Sequence, residues 1–259
     1  FEKFIRYIGK NKINFTLFIS DQINNLIKKK SYIKYLSSMN SIISSSATLT
    51  NENKKKLCKM YKGKIYECYG LSEAAIVTSL DLKKYPTKLN SVGSPIKDVK
   101  IKIRKKNKNG VGEILVKSKF IFSEYFNKKF FTKKFFINNY FKTGDLGYIK
   151  DNFLYFVGRK KNELKIKGVL VYPEDIENKL LKTNFVDECI VMGVNDLNKE
   201  QRVCLLYSKS KLSRNLEFKI RNFCIENLAT FQIPRYYIFT KEIPKNKMGK
   251  LDRISSKKL

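Results

Sequence analysis

Tyr66-Glu-Cys-Tyr-Gly-Leu-Ser-Glu73 is the stretch from which the fold is read. Ile65–Tyr69 has the apolar, aromatic texture of a short strand. Gly70 through Glu73 then stand at a strand's C-terminal end, where ligands bind in open α/β sheets. Just upstream, Thr50 is placed to cap a helix with Leu57, Met60 and Tyr61 facing inward. Further back, Ile23, Leu26 and Ile27 recur at helical spacing after Ser20 and Asp21 as N-caps. Helices alternating with strands make an α/β pattern. By its residues alone the stretch also reads as a plain turn, with Tyr69 a core ring and Glu73 a solvated carboxylate.

Downstream the texture becomes β-rich. Val99, Ile101 and Ile103 alternate with polar residues, so 98–104 is expected as a half-buried strand. Asn109-Gly110 signals a turn, with Gly112–Lys117 as the returning strand. Phe153–Val157 is strand-like as well. After Arg159 a third texture begins. Pro173 fits the first turn of a helix, Glu174 and Asp175 suit its positive end, and Ile176 and Leu180 line its inner face. Cys189–Val194, Val203–Tyr207 and Tyr236–Phe239 read as strands. Leu216, Ile220, Phe223 and Cys224 mark a helix. This is a small α+β unit of roughly a hundred residues, within the usual domain range. Its boundary is expected near Arg159–Lys161, and the chain has no internal repeat.

Composition narrows the chemistry. The 259 residues are 42% hydrophobic, with 19 Phe and 15 Tyr, enough for a sizeable core. The net charge of +31 raises a nucleic-acid reading. Lys is spread along the whole chain, however, and Asn, Ile and Phe are abundant as in an AT-rich coding sequence. Nucleic acid is therefore not expected as the main partner, and no aromatic-basic RNA-recognition motif is present. The absence of His excludes a Ser-His-Asp triad, a Cys-His pair and His-ligated zinc within the chain. Five Cys without CxxC spacing read as buried thiols in a reducing compartment, hence a cytoplasmic location. No apolar run is long enough to span a bilayer. Peripheral membrane contact is left open. The start at Phe1, which is not Met, is expected to mean a piece of a longer chain.

Four segments carry the chemistry together: Tyr66 through Glu73, Tyr140-Phe-Lys-Thr-Gly-Asp145, the run from Gly158-Arg159 through Gly168 to Pro173-Glu-Asp-Ile-Glu177, and Pro244-Lys-Asn-Lys-Met-Gly-Lys250-Leu-Asp-Arg253. In order and spacing they resemble the adenylate-forming superfamily of acyl-CoA synthetases, carrier-protein-loading adenylation domains and luciferases. The resemblance covers essentially the whole chain. It implies that residues 1–158 are the C-terminal half of a large AMP-binding domain, α/β with a distorted β-rich subdomain. Residues 159–259 would be the small, mobile α+β C-terminal domain.

The resemblance also implies roles. Tyr69 stacks on adenine, Gly70 lets the backbone approach the substrate, Ser72 bonds the α-phosphate and Glu73 is the Mg²⁺ ligand. Asp145, on a tight loop, accepts from the ribose hydroxyls, with Arg159 as second ribose contact. Lys161 is the hinge. Gly168 lets the small domain approach the pantetheine tunnel. Lys250 reaches the active site and stabilises the charge of adenylate formation. Ser44-Ser-Ser-Ala-Thr-Leu49 corresponds to a strand end beside adenine, and Ala74, Ala75 and Ile76 to part of the acyl pocket. The cofactors and substrates implied are ATP, Mg²⁺, a carboxylic acid (a fatty acid by expectation) and CoA.

Several departures keep alternatives open. The family's Ser/Thr/Gly-rich loop ending in Lys, which grips the β- and γ-phosphates, has no counterpart in residues 1–64. Half an ATP site is therefore expected, and an isolated chain without activity. Met248 and Asn246 replace the usual Ser or Thr residues beside Lys250. Glu124 and Asn152 stand where glycines are usual. One alternative delivers the acyl group to the pantetheine of a carrier protein. Another is a truncated homologue that binds without catalysis.

Overall fold

The computed structural model describes residues 1–45, 49–197, 199–246 and 249–258. The chain is α/β and divides into two compact units, Phe1–Phe156 and Val157–Leu259.

The first unit opens with α1 (Glu2–Lys10), β1 (Phe15–Ile19), α2 (Ser20–Lys28), β2 (Ser41–Ser45), α3 (Asn51–Met60), β3 (Lys64–Leu71), β4 (Ala75–Asp81) and β5 (Ser94–Pro95). Among the described residues these strands form one sheet in sequence order. β1, β2 and β3 run parallel through helical crossovers, and β4 and β5 return antiparallel. Parallel neighbours need such crossovers, and the helices bury one face of the sheet. The shared core contains Phe18, Ile23, Leu26, Ile42, Leu57 and Ile65, all fully buried. α3 starts where the sequence places it, with Asn53 N donating to Thr50 Oγ1 at 3.2 Å. α2 differs. Its N-cap is Ile19, whose backbone N–H donates to Gln22 Oε1 at 3.1 Å, and Ser20 is already helical. Ser20 follows the strand directly, so no residue separates strand from helix and the cap moves back by one.

A second sheet contains β6 (Val99–Arg104), β7 (Gly112–Ser118), β9 (Tyr140–Lys150) and β10 (Phe153–Arg159), ordered β10-β9-β7-β6, with α4 (Lys129–Lys133) and β8 (Phe136–Ile137) in the β7–β9 connection. β6 and β7 form the expected hairpin, pairing Val99 with Ser118 through Arg104 with Glu113. At the β9–β10 turn Asp151 and Asn152 have φ of 50° and 67°. Asn tolerates this left-handed region better than most residues, so it serves where glycine is usual.

The second unit contains β11 (Leu164–Ile166), β12 (Val169–Val171), α5 (Pro173–Leu180), β13 (Glu188–Asn195), β14 (Gln201–Ser208), α6 (Leu216–Asn227), β15 (Tyr236–Phe239) and α7 (Arg253–Ser256). β13 and β14 are antiparallel, and β15 joins β14 in parallel after the α6 crossover. One face of this sheet buries Cys189, Val191, Val203 and Leu205 against α5 and α6. The other buries Ile190, Met192, Cys204 and Leu206 beneath Ile243 and Leu251. Both faces are covered, which is why these strands read as unbroken apolar runs.

Candidate functional site

The decisive stretch runs through β3 and turns into β4 at Ser72–Ala74, so Glu73 lies on a hairpin. The pairing shifts register between Tyr69 and Gly70. A Cβ on Gly70 would lie 2.2 Å from the Ala75 carbonyl oxygen, so the hairpin itself requires the glycine. Ala74 is fully buried in the core between the sheets and is therefore not available as a pocket wall, whereas Ala75 is exposed.

Thr143-Gly-Asp145 lies inside β9, not on the tight loop the sequence suggests. Glu113 pairs with Leu146 and Leu115 with Lys142, so Thr143–Asp145 bulge opposite Ile114. Thr143 Oγ1 stitches the bulge, donating to the Ile114 carbonyl at 2.8 Å and accepting from Asp145 N at 3.0 Å. A bulge bends a strand and re-aims a side chain, and bulges are common beside active sites. The two irregular strands meet here: the Tyr69 hydroxyl donates to Asp145 Oδ2 at 2.8 Å. Asp145 is buried and the Tyr69 ring half-buried, tilted against Phe156 at 6.2 Å between centroids. Tyr69 is thus both a core-packed ring and the fixed partner of the carboxylate.

Glu73 accepts from the Tyr125 hydroxyl at 2.7 Å. Burial and the Glu73 carboxylate push the Tyr125 phenol up to about 12, which keeps it a donor at neutral pH. Tyr125 was not given a role from sequence, although Glu124 before it marks a family position; its partner lies 52 residues away. Ser72 is exposed at the hairpin tip.

Behind this corner lies an ion pair that the sequence hides. Lys54 Nζ is 2.5 Å from Glu67 Oε2, with both side chains buried, and it also donates to the Leu89 carbonyl at 2.6 Å. Glu67 Oε1 accepts from Leu49 N at 3.2 Å. Burial pushes the Glu67 carboxyl up, and the Lys54 charge opposes it. The available signal was position: Lys54 shares a helix face with Leu57, and Glu67 sits mid-strand. The segment Ser46–Thr48 of the adenine-side stretch lies outside the described residues, as does Met248.

Within the second unit Arg159 is exposed at the end of β10 and Lys161 is exposed in the short 3₁₀ turn Lys160–Asn162. Asn162 Nδ2 ties that turn to Glu174 Oε1 of α5 at 2.5 Å. Gly168 is at the tip of the β11–β12 hairpin with φ +84°, and nothing lies within 4 Å of where its Cβ would be. Lys250 sits on a loop with packed flanks. Asn246 Oδ1 accepts from Lys250 N at 3.1 Å, and Asn246 N donates to the Lys250 carbonyl at 2.8 Å. Asn246 thus ties its own position to that of Lys250. On the far side Leu251 packs on the sheet, and Arg253 pairs with Glu177 at 2.7 Å and with Glu174 at 3.3 Å. Burial pulls the Arg253 guanidinium down, the two glutamates more than offset it, and Arg253 stays charged. Glu177 and Arg253 both stand in the segments singled out from sequence; their pairing was missed because it joins residues 76 apart.

Among the described residues no group of three or more His, Cys, Asp or Glu is arranged to hold a metal. Glu73 alone suits an ion whose remaining ligands are phosphate and water, as is usual for Mg²⁺. No helix among the described residues is long and apolar enough to cross a membrane.

The model for AMP-binding enzymes matches residues 1–126, and that for the AMP-binding enzyme C-terminal domain matches residues 175–250. A long-chain-fatty-acid–CoA ligase of Bacillus subtilis (strain 168) is 32% identical over 225 residues, 84% of this chain and 40% of that protein. A 2-succinylbenzoate–CoA ligase of Lactococcus lactis subsp. lactis (strain IL1403) is 32% identical over 200 residues, 76% of this chain and 42% of that protein. The O-succinylbenzoate coenzyme A synthetase of Bacillus subtilis, solved with ATP and magnesium ion, has the same fold. Its TM-score is 0.84 at 24% identity, over 99% of this chain and 54% of the other. The chain spans about half the length of the proteins it matches. With both family models matched in order and ligases of this kind as relatives, the chain belongs to the family of AMP-binding enzymes.

Proposed function

We propose that the chain is the C-terminal part of an acid–thiol ligase that activates a carboxylic acid, a fatty acid by our reading, as acyl-AMP and passes it to CoA. The observation that carries this reading is the Tyr69–Asp145 hydrogen bond at 2.8 Å, which joins β3, beside a register shift, to the bulge of β9. It fixes a ring suited to stack on adenine beside a carboxylate suited to accept from ribose hydroxyls. The coenzyme A ligases among the relatives support the acceptor.

In the first step a carboxylate oxygen attacks the α-phosphorus, an acyl–O–P bond forms, and the bond to the β-phosphate breaks with release of pyrophosphate. Lys250 would place a cation against the charge that develops on the phosphoryl oxygens. Its loop is preorganised from both sides by Asn246 and Arg253, so little ordering is needed at the moment of reaction. Ser72 would donate to the α-phosphate. Glu73 would hold Mg²⁺, an ion that neutralises phosphate charge when bound, and Tyr125 orients that carboxylate. In the second step a thiol attacks the acyl carbon and AMP leaves. Lys161 would be the hinge between the two steps and Gly168 would border the pantetheine path, the exposed turns leaving both residues free of core packing. Residues 1–158 and 159–259 would then be the fixed and the moving domain.

The test is a screen of short to long carboxylic acids with ATP and Mg²⁺ on the catalytically complete protein, followed by CoA or a phosphopantetheinylated carrier. Acid-dependent exchange of pyrophosphate into ATP, and a CoA thioester seen by mass, are expected. Cleavage of ATP to ADP, or discharge onto the carrier alone, would contradict the reading.

A further inference from the structure

The β7–β9 connection has two faces with opposite character. Its inner face is an aromatic cluster: Phe122 lies 4.7 Å from Tyr125 and 5.6 Å from Phe141 between ring centroids, and Phe135 lies 5.8 Å from Tyr125. Thr132 pins the segment from within, accepting from Tyr125 N at 3.0 Å and donating to the Lys128 carbonyl at 2.9 Å. The outer face leaves Phe126 89% and Phe130 83% exposed, with Phe131 and Phe120 about half exposed. Aromatic side chains this large are seldom left in water without a partner. Lysines surround them. Residues 117–134 contain Lys117, Lys119, Lys128, Lys129, Lys133 and Lys134 against the single acidic Glu124. Lys133 Nζ stands 5.7 Å from the Phe130 ring, and Lys119 stands over Phe120 while paired with Asp98.

We infer that this face docks on an anionic lipid surface, with Phe126 and Phe130 entering the headgroup–acyl boundary and the lysines meeting the lipid charges. Exposed rings beside lysines on a firmly anchored segment match the chemistry of an interfacial anchor. Charge complementarity selects the partner: an acidic surface offsets the lysines, and only an apolar layer removes the two rings from water. A nucleic acid would offer the charge as well, but these rings stand on a turn and a one-turn helix instead of forming a flat stacking platform on a sheet. The inference stands independently of the adenylation reading.

The chain has no Trp, so Phe126→Trp introduces a single reporter. With vesicles of phosphatidylglycerol and phosphatidylcholine its emission is expected to shift to the blue and to be quenched by lipids brominated on the acyl chain. Phe218→Trp, at a position 63% exposed on α6, should show neither change. Replacing Phe126 and Phe130 together by Ser should weaken vesicle partitioning by about tenfold, with an unaltered circular dichroism spectrum. Charge alone would give vesicle binding that the double substitution leaves unchanged and an emission from the Phe126→Trp reporter that stays water-like; either result overturns the inference. Stronger quenching of that reporter by a single-stranded oligonucleotide than by vesicles would overturn it in favour of nucleic acid.

Discussion

The two units hold their candidate residues in contrasting ways. In the first, Tyr69 and Asp145 stand within sheets, beside irregularities in the pairing, and are joined to each other, and the strand of Tyr69 also carries the buried Lys54–Glu67 pair. In the second, Lys161, Gly168 and Lys250 stand on turns, and the packing belongs to their neighbours Asn162, Leu251 and Arg253. On the proposed reading, a corner that would present the same geometry to every nucleotide is built into the core, and residues that would serve different steps sit at tips with packed neighbours. Fold and function should therefore be separable in the first unit only by an isosteric exchange that keeps the internal bonds, and easy to separate in the second.

Lys54→Ala is the strongest test of the first half of that contrast. It leaves Glu67 buried without its cation, and a loss of about 3–5 kcal/mol in chemical denaturation is expected. Replacing both residues by apolar ones of similar volume should restore most of it. A loss below about 1 kcal/mol in the single variant would mean that the pair is solvated in solution.

Lys250→Ala tests the other half. In the catalytically complete protein, adenylation should fall about 10²–10³-fold, a barrier of roughly 3–4 kcal/mol. The backbone bonds to Asn246 do not need the side chain, so the loss of stability should be far smaller than for Lys54→Ala. Thiol attack on supplied acyl-AMP should be largely spared. Equal losses in both half-reactions would make Lys250 a structural residue.

Two glycines give a smaller, matched comparison. Gly70→Ala drives a Cβ into the Ala75 carbonyl, which is backbone and cannot rotate away, at a cost of about 2–3 kcal/mol. Gly168→Ala meets open space and only the φ of +84°, so about 1 kcal/mol is expected. Thermal unfolding of the two variants ranks them, and the reverse order would contradict the contrast.

The smallest effect is at Tyr125. Tyr125→Phe removes its bond to Glu73 and should cost about 0.5–1.5 kcal/mol at neutral pH. The native phenol is raised from the ordinary value near 10 to about 12. Its contribution is therefore fully present below about pH 10 and lost as pH rises through about 12. The difference between wild type and Tyr125→Phe should shrink over that range, and a constant difference would place the bond outside the folded state.

Local signals were legible in the sequence. Pro173 before two acidic residues places the start of α5, and Asn109-Gly110 places the β6–β7 turn, because capping and turn chemistry act within a few residues. The motif residues were picked out differently, by the order and spacing of four segments that resemble a known family. What was lost is what depends on distant partners. The bulge that carries Asp145 needs Ile114 opposite it, the N-cap of α2 shifts because a strand feeds the helix directly, and Lys54 looks like any surface lysine until Glu67 faces it. Ala74 was expected in the acyl pocket, whereas it is buried in the core between the sheets, and the packing that requires glycine at position 70 was not foreseen.

Asp145 as a ribose acceptor held by Tyr69 is the central assignment of the proposed function. Calorimetric titration of the chain with AMP, against the isosteric Asp145→Asn variant, measures it. The amide can still accept the Tyr69 bond, so the fold should survive and its spectrum should match. AMP should bind the native chain, and the variant should bind it at least about tenfold more weakly, since an ionised acceptor contributes roughly 1.5–3 kcal/mol. Equal affinity for AMP in the two proteins would contradict the assignment.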